Sequence, residues 1–163
     1  MVEPDQRSER SLRVVLVDSR DERRQVMRHV VQGTDAGATV VGEADNATEA
    51  TALVENKHAD AVVLDIQMPL RKGLETIAAL RGRFADLGIV VCSFHLDPVT
   101  KEEAFAQGAD AYLAKPLGPA DLNAVLKSLR RCGSTSQRPW LPRGNLAGPV
   151  SRGPLGRGAP PST

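Results

Sequence analysis

Residues Val62–Gly73 read VVLDIQMPLRKG. An apolar, β-branched run that begins at Ala61 ends at an acid, Asp65, and Met68-Pro69 and then Gly73 follow. A short unbroken apolar run describes a strand covered on both faces, because a half-exposed strand alternates apolar with polar residues. Asp, Pro and Gly beyond its end describe a turn into the next element. Leu74, Ile77, Ala78 and Leu80 then share a face at helical spacing. The unit is strand, turn, helix.

The same unit recurs on both sides. Further apolar runs stand at Leu12–Val17, Thr39–Val41 and Ile89–Cys92, with a shorter one at Ala111–Leu113 read from its context. Between them lie helical stripes: Val26, Val30 and Val31; Ala47, Ala50, Leu53 and Val54; and, most regular, Leu122, Val125, Leu126 and Leu129. The weakest stripe, in Asp97–Gln107, rests on Val99, Ala104 and Phe105. Ser19 with Glu22 predicts a capping box, and Asp97 before Pro98 predicts a cap and an N1 proline. Strict alternation of strand and helix over about 120 residues predicts an α/β fold: a doubly wound, five-stranded parallel sheet with right-handed crossovers. Chemistry in such sheets gathers at the carboxyl ends of the strands.

Composition sets the outer limits. The chain has 163 residues, 41% hydrophobic, with a formal net charge of +1, enough for one core and neutral on nucleic acid as a partner. The charge is unevenly spread. Gly133–Thr163 carries four arginines and no acid, with six glycines and six prolines among 31 residues, and reads as a disordered tail. The expected organisation is therefore a polar, disordered N-terminal segment over 1–11, a folded domain over 12–132 and the disordered tail over 133–163. For the tail, a short arginine-containing partner or RNA contact around Arg138–Arg143 anchored by Trp140 competes with the favoured reading, a solvated extension of no function. No stretch has the length and apolarity of a signal peptide or a bilayer span, and two cysteines, Cys92 and Cys132, make no disulfide framework. The expected setting is the cytoplasm.

At the ends of four strands stand Asp18, Asp65, Ser93 and Lys115, the last followed by Pro116. Singly, each has an ordinary explanation: a helix cap, a loop hydroxyl, a solvated charge. Together they describe phosphoryl transfer. A carboxylate attacks a phosphoryl group to form an aspartyl-phosphate, and the charge that develops on the equatorial oxygens calls for a divalent metal and a placed cation. Asp18 would help hold Mg2+, which prefers oxygen ligands. Lys115 would neutralise one phosphoryl oxygen, Ser93 would donate to another, and Asp65 is left as the nucleophile.

With these residues in view, the sequence resembles the receiver domain of bacterial response regulators, of flavodoxin-like (βα)5 fold, over Leu12 to Cys132. VVLDIQMPLRKG resembles that family's phosphoacceptor loop, GADAYLAKP (Gly108–Pro116) its fifth strand with Lys-Pro, and VVLVDS (Val14–Ser19) its acidic turn. The resemblance implies Asp65 as phosphoacceptor, Asp18 as an acidic-pocket metal ligand, the Gln67 backbone carbonyl as another, Ser93 as the switch hydroxyl and Lys115 as the phosphate-contacting lysine. It also implies that Tyr112 is the aromatic whose rotamer follows phosphorylation.

Two positions depart from the family pattern. The second acid of the acidic turn is Ser19, which implies weaker Mg2+ binding. The residue after the switch hydroxyl is Phe94, which either crowds the route to Asp65 or turns outward; crowding is the favoured expectation. His95 beside it reads as a surface residue.

The leading reading is a stand-alone switch. A sensor histidine kinase phosphorylates Asp65, and a downstream protein reads the change by contact, without a DNA-binding output. Homodimerisation through the face around the fifth strand is the family's other option. A phosphorylation-independent receiver-like binding module is the alternative. An aspartyl-nucleophile phosphatase of the haloacid-dehalogenase type is remote, because Gln67 stands where the general acid would be. A flavodoxin-like cofactor site lacks its glycine-rich phosphate loop. No enzyme activity is expected.

Overall fold

The computed structural model describes residues 10–67 and 70–131. Five strands and five helices alternate: β1 Leu12–Val17, α1 Asp21–Gln32, β2 Ala38–Ala44, α2 Ala47–Lys57, β3 Ala61–Asp65, α3 Leu70–Arg83, β4 Gly88–Ser93, α4 Pro98–Gln107, β5 Ala111–Ala114 and α5 Pro119–Arg131. The strands form one sheet in the order β2-β1-β3-β4-β5, every neighbouring pair parallel. Strand order reverses between β1 and β3, and it is beyond the carboxyl ends at such a switch point that doubly wound sheets place their ligand chemistry. Most of the expected terminal segments, 1–9 and 132–163, lie outside the described residues, as do Met68 and Pro69. Arg10 and Ser11 correct the expected disorder of 1–11 at its inner end: Arg10 pairs with Asp60 at 2.9 Å and the Ser11 hydroxyl donates to the Gly37 carbonyl at 2.9 Å, so both are held against the fold.

The sheet separates two apolar layers. Val15, Val17, Val62, Leu64, Ile89 and Val91 face α2, α3 and α4, while Val14, Leu16, Val63, Val90 and Leu113 face α1 and α5. Alternate residues of one strand thus feed opposite layers, which is why the central strands read as unbroken apolar runs. β2 is the edge strand. It is only partly buried and contains Gly42 and Glu43, so the apolar run Thr39–Val41 marked its middle and not its full length. The stripe of α5 is as expected: Leu122, Val125 and Leu126 are buried.

Three local expectations fail, each for a tertiary reason. Helix α1 starts at Asp21 after Arg20, with no side-chain cap, so Ser19 forms no capping box. The Asp18 carboxylate takes the turn instead, accepting the Arg20 backbone N–H at 2.9 Å. On α1 the buried residues are Met27 and Val31, and Val26 is 63% exposed. On α4, Thr100, Ala104 and Phe105 are buried and Val99 is 65% exposed. In both helices the sheet selects a stripe one position on from the β-branched residue that marked its edge. Asp97 does cap α4, accepting the Thr100 N–H at 2.8 Å, and Asn46 caps α2 in the same way through Glu49.

Candidate functional site

Strand register brings the site together. Val17 pairs with Leu64, Asp65 with Cys92 and Ser93 with Ala114, so the ends of β1, β3, β4 and β5 lie side by side. The next residue of β1 is Asp18 and that of β5 is Lys115, whose peptide bond to Pro116 is cis. Asp18, Asp65 and Ser93 are fully buried, and the Lys115 side chain is nearly so, at 9% exposure. Parallel strands of unequal length that stop at one edge thus convert four distant sequence positions into a single polar pocket.

Asp65 is held from three sides. Its Oδ1 accepts the Gln67 backbone N–H at 2.8 Å, and its Oδ2 forms an ion pair with Lys115 Nζ. Arg23 of α1 adds a second cation, with Nη1 at 3.3 Å from the same Oδ2. The close approach of α3 fixes the loop after Asp65: a Cβ on Gly73 would lie 2.4 Å from the Ile66 carbonyl oxygen. Only glycine lets the first turn of α3 lie on that peptide. The motif glycine therefore positions the loop and carries no chemistry of its own.

Asp18 is less well served. Its Oδ1 accepts from Arg20, but its buried Oδ2 has no hydrogen-bond partner, and Lys115 Nζ is 3.9 Å away. Its pKa is raised to about 6: burial and then the neighbouring Asp65 carboxylate push it up, against the downward pull of the Arg20 N–H and the Lys115 charge. Asp65 moves the other way. Burial acts to raise it, but the hydrogen bonds from Lys115 and Gln67 outweigh burial and hold the carboxyl below its ordinary range. The pocket keeps Asp65 ionised and puts the electrostatic cost on Asp18.

The remaining polar residues form a second group around one peptide unit. The His95 N–H donates to Ser93 Oγ at 2.9 Å, and the buried Tyr112 hydroxyl donates to the His95 carbonyl at 2.6 Å. His95 itself is exposed, as the sequence suggested. Phe94 is 58% exposed and turns outward, its ring centroid 5.7 Å from Lys115 Nζ. The expected crowding of Asp65 gives way to an aromatic face beside the lysine, a favourable placement for a cation. Cys92, buried beneath the pocket, has its thiol pushed up to about 12 by burial and stays protonated.

Sequence reasoning missed Arg23. One signal was available: Arg23 and Arg24 both sit in the first turn of α1, where the helix dipole disfavours cations. Two arginines there imply carboxylates or carbonyls within reach from elsewhere in the fold. Arg24 Nη1 in fact donates to the Asp18 carbonyl at 2.6 Å. Among the described residues no group of three or more His, Cys, Asp or Glu side chains surrounds a metal position, and no helix is long and apolar enough to cross a membrane. Any cation in this pocket would rest on two carboxylates and backbone oxygen.

Comparisons with known proteins agree with the geometry. The family model for the response regulator receiver domain matches residues 14–127. The transcriptional regulatory protein PrrA of Mycobacterium tuberculosis is 34% identical over 127 residues, covering 77% of this chain and 53% of that protein. A protein-glutamate methylesterase/protein-glutamine glutaminase of Hahella chejuensis is 30% identical over 125 residues, 72% of this chain but 35% of the relative. The solved signal receiver domain of the response regulator NarL from Mycobacterium tuberculosis superposes with a TM-score of 0.65 at 26% identity, covering 75% of this chain and 98% of that domain. The chain thus spans between about a third and a half of these curated relatives.

Proposed function

The chain belongs to the response-regulator receiver family, and from that premise we propose that Asp65 accepts a phosphoryl group from a sensor histidine kinase. The observation that carries this reading is the Lys115–Asp65 ion pair, formed in a buried pocket that Asp18 and Ser93 complete. An Asp65 oxygen attacks phosphorus, the bond from phosphorus to the donor imidazole nitrogen breaks, and that nitrogen keeps the electron pair. The product is an aspartyl-phosphate. Lys115 is then drawn from the carboxylate toward a phosphoryl oxygen.

The residues present fit a hard divalent cation. The buried, unpartnered Asp18 Oδ2 is an oxygen that lacks a positive neighbour at bonding distance, and Asp65 and the Gln67 backbone carbonyl complete an all-oxygen donor set. Asp18, Asp65 and the Gln67 carbonyl would hold Mg2+. When bound, Mg2+ supplies charge neutralisation for the phosphoryl oxygens. Ser19 contributes no carboxylate, so the affinity is lower than two adjacent acids would provide.

The switch follows from the group around His95. A phosphoryl group on Asp65 attracts the Ser93 hydroxyl, which then leaves the His95 N–H. Tyr112 grips the carbonyl of the same residue, so the β4–α4 loop and the tyrosine respond together. A downstream protein reads the change at the face formed by α4, β5 and α5, which is also where a homodimer would form. A cytoplasmic setting is part of the same reading. Assembly of all four strand-end residues at one edge weighs against a phosphorylation-independent binding module.

Incubation with acetyl phosphate and Mg2+ should give an acid-labile phosphoprotein, and Asp65→Asn should abolish it. Absence of the label in the wild type, or its survival in Asp65→Asn, overturns the proposal.

A further inference from the structure

Arg23 has no place in the family's motifs, yet it is one of two cations on the acceptor carboxylate. It projects from the first turn of α1 across 42 positions of sequence to Asp65 Oδ2, the oxygen that also takes Lys115. Two features make the contact more than incidental. The amino end of a helix is an unfavourable place for a cation, so the guanidinium gains most where it meets an anion. The pocket also supplies such an anion in surplus: Asp18 and Asp65 face Lys115, which alone would leave the cluster one negative charge in excess.

With Arg23 the formal charges of the pocket sum to zero. This changes what a metal ion meets there. A pocket with a second acid at position 19 and no arginine would hold a strong negative field that draws in a divalent cation. Here Ser19 removes a negative charge and Arg23 adds a positive one. A divalent ion on Asp65 would stand within a few ångströms of the guanidinium, and the two cannot share Asp65 Oδ2 without repulsion. One must leave. The Arg23 side chain is 33% exposed and its bond is long, whereas Lys115 is 9% exposed and tightly paired. Arg23 is therefore the group free to swing into solvent.

We propose that Arg23 is a built-in counter-ion of Asp65 that competes with the divalent cation for this carboxylate and thereby sets the metal affinity of the pocket. The inference rests on the phosphoacceptor reading in that it takes Asp18 and Asp65 to be the metal-binding carboxylates. Its consequence is regulatory. The acceptor rests as a neutral, internally paired cluster, and the level of divalent cation decides how often Asp65 is released for reaction.

The test is direct titration of the full chain with Mg2+, by calorimetry and without any phosphodonor, so that binding and not activity is read. Arg23→Ala and Arg23→Gln should each bind Mg2+ about tenfold more tightly than wild type, since either removes one neighbouring positive charge. Arg23→Lys keeps the charge and should stay within about twofold of wild type. The glutamine variant separates charge from packing, because it retains length and hydrogen bonding. Thermal melts of each variant show whether it is folded. Unchanged or weaker Mg2+ binding in folded Arg23→Gln overturns the inference, as does the absence of Mg2+ binding in every form. If Asp65 is never phosphorylated but Arg23→Gln still tightens Mg2+ binding, the functional reading fails and this inference stands.

Discussion

Two clusters of buried charge sit at opposite ends of the sheet, and they are built on opposite terms. At the amino ends of β4 and β5, Arg81 of α3 pairs with Asp110 at 2.7 Å and donates to the carbonyls of Gly108, Phe84 and Ala85. Asp110 Oδ2 also accepts the Ile89 N–H at 2.8 Å. Gly108 adopts a φ of +119°, and a Cβ there would lie 2.5 Å from Arg81 Cγ, so the helix end is shaped to admit the arginine. At the carboxyl ends, the Asp18–Asp65–Lys115–Arg23 pocket leaves Asp18 Oδ2 without a hydrogen bond and places two carboxylates side by side. The first cluster satisfies its groups and ties α3 to the loop between α4 and β5. The second holds like charges together and keeps one oxygen in reserve. A buried charge network that is fully satisfied rigidifies the elements it joins and is costly to break; one that is left incomplete carries an uncompensated electrostatic cost.

The largest effect expected from this contrast is at Arg81. Arg81→Ala takes the cation away from buried Asp110 and one donor from each of three carbonyls, and should lower unfolding free energy by about 3 kcal/mol in urea titration. A loss below about 1 kcal/mol, the scale of an ordinary surface pair, would break the comparison.

The second effect has the opposite sign. Asp18→Asn should stabilise the metal-free protein at pH 7 to 8 by about 1 kcal/mol, because it removes a buried charge that is only partly compensated, one oxygen having no hydrogen bond and its cation 3.9 Å away. The pH dependence follows from the shift. Asp18 has a folded pKa of about 6 against 3.8 for the ordinary side chain, so the folded state holds its proton more tightly within that window. That advantage is fully present below 3.8 and is lost as pH rises through about 6. The gain from Asp18→Asn should therefore be full above about pH 6 and fade toward pH 4, as read by urea midpoints in the presence of a chelator. A gain that does not vary with pH would show that charge is not its source.

The smallest effect belongs to neither cluster. Arg83 pairs with Glu55 at 2.6 Å, but both side chains are more than half exposed. Arg83→Ala should change stability by no more than about 0.5 kcal/mol, and salt should erase the difference. A larger loss would mean that pairing alone, and not burial, governs these contacts.

Much of this could be read from sequence. Asp18, Asp65, Ser93 and Lys115 were legible because a parallel sheet forces every strand to end at the same edge, so strand-end residues are neighbours whatever their separation in the chain. Arg23 and Arg81 were not legible. Each acts through a long side chain that spans two elements, and no periodicity records where a guanidinium will land. Ser19 misled for a related reason. Its spacing to Glu22 suits a capping box, but the Asp18 carboxylate competes for the same turn and takes the Arg20 N–H.

What the sequence by itself determined is the order of elements and the identity of the residues at the strand ends. Apolar runs and helical stripes are local properties, and the α/β alternation they describe admits few topologies. Tertiary structure alone decided which face of α1 and α4 turns inward, where Phe94 points, and which charges meet. Those outcomes depend on distances between elements far apart in the chain. They leave Asp65 in a pocket neutralised by Lys115 and Arg23, with one oxygen of Asp18 lacking a hydrogen bond.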